Sequence, residues 1–460
     1  MVIRPALWNA SVTLVRTSVA RAGVLVAGAL VLAVASPARA QDDRLRELER
    51  KVDVLTQELE NLRLGAAADT GARYAPRFGL GPSASKVYAG RGISIGGYGE
   101  MLYENFDRKR QNGTLAGLTD RIDYLRQVVY VGYKFTDDLL FNSEIELEHG
   151  GVSDEAAVAV DPLTGEGEAE LSGEVVLEFA YIEWAPQREF GGRAGMLLVP
   201  VGLINEMHEP TVFLGARRPE VEQNILPATW SANGAGVFGD LEGGLSYRAY
   251  LIEGLDASGF SASSGIRGGR QSGSQSAITK PGLVARVDYT GLAGLSVGGS
   301  AFTGDSWQGP QPVGVHLAPR VTLLDAHARY QWRGFEARGL YARGQLDDAG
   351  PLSNALGLTG SDRLGERFFG YYLEAGYDVL EAARPGSRYR LIPYARFERY
   401  DTQDDVPGGT ENPALERTIA TFGAAFQPHP NVVLKADRQQ RRNQAETETP
   451  QWNVALGYAF

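Results

Sequence analysis

Residues 451–460, QWNVALGYAF, decide the fold of this chain. Trp452, Val454, Leu456, Tyr458 and Phe460 are apolar or aromatic, and they alternate with small or polar residues. In a β-strand, successive side chains point to opposite faces, so this period of two puts all five on one face. The stretch predicts a strand with one apolar face and a terminal aromatic residue.

The same alternation recurs from Ile93 onward in segments of about ten residues, of which 139–147, 283–289 and 369–377 are the clearest. A soluble β-sandwich would usually have shorter strands and connections of similar length. Here short connections alternate with long polar ones. The short connections are 136–138, 242–244, 291–294, 333–334 and 428–431. The long ones are 107–120, 149–173, 254–280, 304–319, 345–366, 401–415 and 440–450.

This alternation is typical of a transmembrane antiparallel β-barrel, with tight turns on one rim and long loops on the other. The connections predict an all-β fold of about sixteen strands over residues 92–460, an even number as in bacterial outer-membrane barrels. The start of the first strand and the end of the last strand then both lie on the periplasmic side. The last strand, ending at Phe460, looks like the signal by which the barrel-assembly machinery recognises its clients. Outer-membrane lipid is the expected surroundings.

Residues 1–40 have the pattern of a signal peptide. Arg4, Arg16 and Arg21 precede a short apolar run, and Ala38-Arg39-Ala40 provides a small-residue exit. The run is shorter than the roughly 20 residues of a spanning helix, so we expect cleavage after Ala40. An uncleaved membrane anchor is the alternative.

Residues 41–64 have a heptad pattern. Apolar residues are spaced 3, 4, 3, 4, 3 from Leu45 to Leu62, which predicts a short coiled coil. So few heptads are marginal alone, and the helix would join subunits already held by something larger. A trimer is our preferred interpretation, and a single amphipathic helix is the alternative. Residues 65–91 are rich in Gly, Ala, Ser and Pro and predict a flexible linker.

Charge and composition narrow the classes of function. Without the four arginines of the signal peptide, 41 of the 45 Lys and Arg residues remain against 56 Asp and Glu, a net charge of −15. This balance argues against a nucleic-acid partner, because phosphate backbones need a basic surface. The five histidines show neither metal-ligand spacing nor a Gly-x-Ser-x-Gly partner, and most are expected to be solvated in loops. We therefore expect no enzyme, metal or cofactor.

One stretch, from Phe179 to Gly239, resembles the phosphate-selective porin O and P family. The matching sequence is Ala180-Tyr181-Ile182-Glu183, Arg193-Ala194-Gly195-Met196, Val199-Pro200-Val201-Gly202-Leu203, Phe213, Arg217-Arg218-Pro219, Pro227 and Gly234-Ala235-Gly236-Val237. The resemblance implies a trimeric sixteen-stranded porin whose third long loop folds inward to narrow the pore. Here that loop would be about 203–233.

Within this loop the resemblance suggests a pore constriction made of six charged residues: Arg217, Arg218, Glu206, Glu209, Glu220 and Glu222. Members of the family that select phosphate carry clustered lysines along the pore. In this chain only Lys134 and Lys435 fall inside predicted strands, which argues against phosphate selectivity.

The strand register predicts which charges line the lumen, since the face opposite the apolar one must point inward. These residues are Glu144, Glu146, Glu148, Arg286, Arg329, Arg338, Arg390, Arg396 and Lys435. Either they act on passing solutes, or they brace a polar interior as salt bridges. Both interpretations stay open for the arginines.

The sequence therefore predicts an outer-membrane porin for passive diffusion of small hydrophilic solutes. Anions such as phosphate are among the candidate solutes. The alternative is a structural or adhesive barrel, tethered through its periplasmic coiled coil.

Overall fold

A computed structural model describes residues 78–150, 158–160, 167–169, 173–314 and 316–460. The predicted signal peptide and coiled coil lie outside the described residues. Sixteen strands of the described part close into one antiparallel barrel, in which the last strand hydrogen-bonds to the first. The predicted all-β barrel and its number of strands are confirmed.

The strands follow one another around the barrel in chain order. They are β1 (Gly92–Phe106), β2 (Arg121–Lys134), β3 (Leu139–Glu148), β6 (Val175–Gln187), β7 (Phe190–Leu198), β8 (Ser231–Asp240), β9 (Leu245–Ile252), β10 (Gly282–Tyr289), β11 (Leu295–Asp305), β12 (Arg320–Trp332), β13 (Phe335–Leu346), β14 (Arg367–Tyr377), β15 (Arg390–Asp405), β16 (Glu416–His429), β17 (Val432–Asn443) and β18 (Gln451–Ala459). A separate hairpin, β4 (Val158–Val160) and β5 (Gly167–Ala169), lies in the chain between β3 and β6.

The helices of the described residues are short and lie in the connections. The α-helices are α1 (Glu220–Asn224), α2 (Ala349–Ala355) and α3 (Val379–Ala383). The 3-10 turns are Ala84–Tyr88, Pro210–Val212, Ala257–Gly259, Arg267–Gly269 and Gly360–Asp362. In the described part of the chain, no helix has the length and apolar character needed to cross a membrane.

Long and short connections alternate, as predicted. Residues 107–120 join β1 to β2, whereas residues 135–138 join β2 to β3. Because neighbouring strands are antiparallel, all long connections leave one rim, the long-loop rim, and the others leave the short-turn rim. One short-turn connection, residues 378–389, is longer than its counterparts and contains α3.

The predicted register is confirmed in β10. Leu283 and Val287 are exposed on the outside of the barrel, whereas Val284 and Arg286 are buried on the inside. The outer face is therefore apolar and the inner face carries the charge along this strand, as period-two alternation requires.

The terminal residues close the barrel against β1. Phe460 and Gly97 exchange backbone hydrogen bonds of 2.8 and 2.9 Å. On the outside, a side chain at Gly99 would meet the ring of Tyr458 at 2.4 Å. Glycine in β1 thus makes room for the aromatic rings of the last strand.

One arc of the inner face departs from the prediction of interleaved polar residues. From β1 to β3 and on β6, the inner face includes the buried apolar residues Tyr98, Val128, Tyr130 and Phe179. These side chains cannot face water without a cost of roughly 25 cal/mol per Å². Other parts of the chain inside the barrel cover them.

Part of that cover comes from residues predicted to be a flexible linker. Within 65–91, we call residues 78–91 the N-terminal segment; residues 78–88 are packed inside the barrel, residues 89–91 are exposed, and residues 65–77 lie outside the described residues. Leu80 and Val87 of this segment belong to the same buried cluster as the wall. The small residues permit a close fit, since a side chain at Gly79 would lie 1.9 Å from an Arg248 nitrogen.

Candidate functional site

The connection between β7 and β8, residues 199–230, lies inside the barrel, and we call it the inward loop. Its backbone N–H groups donate to carboxylates on three strands of the wall. These bonds join Gly202 to Asp325 on β12 (3.1 Å), Val221 to Glu398 on β15 (3.3 Å) and Ala216 to Asp437 on β17 (2.7 Å). Because the loop contacts strands so far apart, it crosses the lumen. Its bounds are close to residues 203–233, the inward loop that the family resemblance implied.

Cationic side chains of the wall bind the carbonyl groups of the same loop. Arg396 donates to the carbonyl of Arg217 (3.1 Å), and Lys435 donates to that of Gly215 (2.9 Å). Arg286 donates to the carbonyl of a third loop residue, Gly202. Buried backbone groups need such partners, so these three predicted lining residues anchor the loop.

Glu222 organises the inward loop from within. Its carboxylate accepts the N–H groups of Leu203 (2.8 Å) and Ile204 (2.6 Å) and the hydroxyl group of Tyr372 on β14 (2.6 Å). Burial raises the pKa of Glu222. This side chain was predicted to line a constriction, but it is buried at 1 % exposure and acts as an anchor.

Glu220 and Glu206 are also anchors. Glu220 forms an ion pair with Arg441 on β17 and accepts the hydroxyl group of Tyr400 at 2.8 Å. Burial alone would raise the pKa of Glu220, but Arg441 outweighs it and lowers the pKa to about 2. Glu206 accepts from Arg248 on β9 at 2.7 Å. Both carboxylates therefore bind the wall, and their role in a constriction stays a prediction.

His208 differs from the solvated loop histidine that the sequence suggested. Its ring is buried, with Nδ1 2.9 Å from the carbonyl of Asn205 and Nε2 3.0 Å from Glu144 on β3. Burial would lower the pKa of His208, but Glu144 raises it overall. The pair ties the inward loop to β3.

The three carboxylates predicted on the inner face of β3 all lie on that face. Glu144 and Glu146 are buried, whereas the side chain of Glu148 is 29 % exposed. Arg126 on β2 binds Glu146 at 2.9 Å and lies 3.9 Å from Glu148. A shared arginine offsets the charge of neighbouring carboxylates, so this set is mainly a salt-bridge network.

The remaining predicted lining residues divide by accessibility. Arg329 and Arg390 are partly exposed. The others are buried, and each has a close partner: Asp288 for Arg286 (2.7 Å), Glu374 for Arg338 (3.0 Å), Glu398 for Arg396 (2.8 Å) and the Phe213 ring for Lys435 (3.6 Å). For these buried residues the structure favours bracing over contact with solutes.

In the described part of the chain, two open cavities lie between the inward loop and the wall. The larger, of about 590 Å³, is lined by residues of β1, β2 and the loop, among them Glu100, Arg126 and Arg218. The smaller, of about 330 Å³, reaches Arg441 and Glu448 near the long-loop rim. Three residues line both cavities: Glu104, Arg121 and Arg217.

These three residues form what we call the charged neck. Glu104 accepts from Arg121 at 2.6 Å and forms an ion pair with Arg217. Gln451 also donates to Glu104, at 3.1 Å. Glu104 is buried, whereas the side chains of Arg121 and Arg217 are 56 % and 28 % exposed. Two partly exposed cations therefore line both cavities.

Sequence reasoning found Arg217 but missed Glu104 and Arg121. A signal was present, because Glu100 and Glu104 alternate with Met101 and Tyr103 in β1. The same period-two argument applied to β1 would have placed both glutamates inside. Among the described residues, no group of three or more His, Asp or Glu side chains is arranged to hold a metal ion.

Comparison with solved structures identifies the fold. OmpF of Salmonella typhi, in complex with daunomycin, matches 80% of this chain and 97% of its own, with a TM-score of 0.50 and 14% identity. The anion-selective porin of Comamonas acidovorans matches 80% and 99%, with a TM-score of 0.48 and 13% identity. At such identities the OmpF likeness shows the porin fold alone.

Comparison of sequences gives the family. No family model matches the chain, so the resemblance to the phosphate-selective porins is not confirmed. An uncharacterised protein of Aquifex aeolicus (strain VF5) is 36% identical over 396 residues, which cover 84% of this chain and 84% of that protein. The chain belongs to the same family as this Aquifex aeolicus protein, and it has the sixteen-stranded barrel of the porin fold.

Proposed function

We propose that this protein is a bacterial outer-membrane porin, a channel for passive diffusion of small hydrophilic solutes rather than an enzyme. The observation that carries the proposal is the pair of charged cavities inside a closed barrel, which share the three residues of the charged neck as lining. The exposed apolar outer face supports the membrane setting, since lipid-facing and lumen-facing residues alternate in transmembrane barrels.

Anions such as phosphate are the solutes that we favour. At the neck, Arg121 and Arg217 face Glu104, which leaves one positive charge in excess. Charged pore linings attract solutes of opposite charge, and low-dielectric walls strengthen the effect. The lysine cluster of the phosphate-selective porin O and P family is missing, so the proposal is for small anions in general and not for phosphate selectivity.

We further propose a homotrimer whose predicted coiled coils, residues 41–64, meet in the periplasm. A coiled coil this short needs subunits that already associate, and three packed barrels would supply that. Insertion would depend on the barrel-assembly machinery and on the terminal strand that ends at Phe460.

The test is single-channel conductance of the purified protein in planar bilayers, in potassium chloride with phosphate titrated in. Stepwise openings in groups of three would support a trimeric pore, and block by low phosphate would support phosphate as a solute. Openings without block would leave a general diffusion channel.

The second candidate is a structural or adhesive barrel, and the filling of the lumen favours it. The inward loop and the N-terminal segment both occupy the interior. Folded, trimeric protein that never opens in the bilayer would exclude the porin and favour this function.

A further inference from the structure

The N-terminal segment, Phe78–Arg91, enters the barrel at the short-turn rim, because β1 begins there. Inside, the Asn142 side chain of β3 donates to the carbonyl of Ala84 at 3.2 Å. Val87 lies directly over Gly132 of β2, where an added Cβ would meet its side chain at 2.5 Å. The segment therefore lies flat against the inner wall close to this rim.

An arginine of the wall holds both ends of the segment. Arg193 on β7 donates to the carbonyl of Phe78 (3.1 Å) and to the hydroxyl group of Tyr88 (3.2 Å). The same hydroxyl group donates to Glu183 on β6 at 2.8 Å. Arg193 is itself buried between Glu183 and the ring of Phe238. These contacts hold the segment inside the barrel.

The segment also docks on the inward loop, through Glu209. Its Oε1 accepts the N–H groups of Ser83 (2.7 Å) and Ala84 (3.4 Å). Close approach requires glycine at position 81, where an added Cβ would lie 2.5 Å from the Glu209 carboxylate. Glu209, predicted to line the constriction, is instead the link between the two parts of the chain that fill the lumen.

We propose that the N-terminal segment is a second, built-in constriction, which restricts solute passage at the short-turn rim and is held in place by Glu209 and Arg193. This inference rests on the proposed porin function. The inward loop, which follows β7, narrows the lumen from the long-loop rim. The N-terminal segment narrows it from the short-turn rim. Near the short-turn rim, the two parts together cover the inner face of β1, β2 and β3.

The first experiment changes the fit of the segment. Gly81→Val places a side chain where the Glu209 carboxylate now lies, and Glu209→Ala removes the acceptor of the Ser83 N–H group. Each variant should raise single-channel conductance, by about two-fold if the freed area doubles the open cross-section. Gly90→Val is the matched control, because no atom lies within 4 Å of its Cβ position. Unchanged conductance in both variants would overturn the proposal.

The second experiment does not depend on conductance. The chain has no cysteine, so Asn142→Cys gives a single reactive site under the segment. A water-soluble maleimide should label it slowly in the full chain, and at least about ten-fold faster when 78–91 is replaced by a Gly/Ser stretch of equal length. Migration on gels before and after heating confirms that each variant is folded.

The two readouts distinguish failure of the proposed constriction from failure of the proposed porin function. Fast labelling only after replacement, without openings in any variant, would show that the segment covers the wall, but it would exclude the porin and with it the constriction. Openings with equal labelling in both chains would retain the porin and exclude the constriction.

Discussion

At the charged neck, two arginines share one carboxylate. Arg121 and Arg217 both contact Glu104, and of the three side chains only the glutamate is buried. In the proposed channel, these three charges are the ones that line both cavities. In a passage with low-dielectric walls, changing one of them alters the barrier for ions of each sign.

The first prediction concerns ion selectivity. Arg217→Gln should shift the reversal potential in a potassium chloride gradient toward cation preference, because it leaves Glu104 with one cation. Glu104→Gln should shift it toward anions. The control is Arg188→Gln, since Arg188 lies in an exposed turn on the short-turn rim. Equal reversal potentials in all three variants would place the ion path elsewhere.

The second prediction concerns acid stability. Arg441 holds the pKa of Glu220 at about 2 in the folded protein, against 4.5 for an ordinary glutamate. The depressed pKa contributes stability above about pH 4.5, on the order of 3 kcal/mol, which is lost as the pH falls toward 2. The unfolding temperature of the wild-type protein should fall over this window. In Glu220→Gln it should start lower and fall less; parallel curves would contradict the ion pair.

Only part of this site could be predicted from the sequence. Period two placed Glu144, Arg286 and Arg396 on the inner face, where the structure has them. Whether such a charge meets water or a buried partner depends on contacts such as that between Lys435 and Gly215, which are 220 residues apart. Local pattern carries no information about pairs at that separation.

At the scale of elements, the inward loop connects strands that lie far apart around the barrel. Most loops lie on the surface because buried backbone groups need partners. Here the wall supplies the partners, through Asp325, Glu398 and Asp437 for N–H groups. The loop is therefore held in place by residues that lie outside its own sequence.

The third prediction tests how the inward loop is anchored. Glu222→Ala removes the acceptor of two buried N–H groups, those of Leu203 and Ile204. Leaving them unpaired should destabilise the inward loop by about 3 kcal/mol. Limited proteolysis should then cleave within 199–230, and single-channel current should become noisier. Glu242→Ala, in an exposed short turn, should do neither; a protected loop in Glu222→Ala would contradict the anchoring role.

The N-terminal segment shows why one element was missed. Its Gly, Ala, Ser and Pro content is that of a linker, and its partners Arg193 and Glu209 lie 115 and 126 residues further along the chain. The strands were predictable because alternation is local. The segment was not, because its order comes from the cavity into which it fits.

At the scale of the whole molecule, the closure of the barrel explains why apolar and polar residues alternate along each strand. A closed barrel leaves no strand edge unpaired, so each strand needs only one apolar face and one face toward the interior. The sequence shows this in nearly every strand, which is why the architecture could be predicted. The interior could not, because a core of Tyr98, Tyr130 and Phe179 depends on what covers it.

The last prediction tests whether the outer face meets lipid. Leu373, near the middle of β14, points outward and is 62% exposed, so Leu373→Arg should lower the free energy of unfolding in lipid vesicles by about 2–4 kcal/mol. Phe335→Arg, on the same face at the short-turn rim, should cost only about 1 kcal/mol, because the penalty falls with depth. Gln331→Arg, on the inner face beside Glu336, should be tolerated. Equal costs for the first two variants would mean that this face of the barrel is not embedded in a hydrocarbon layer.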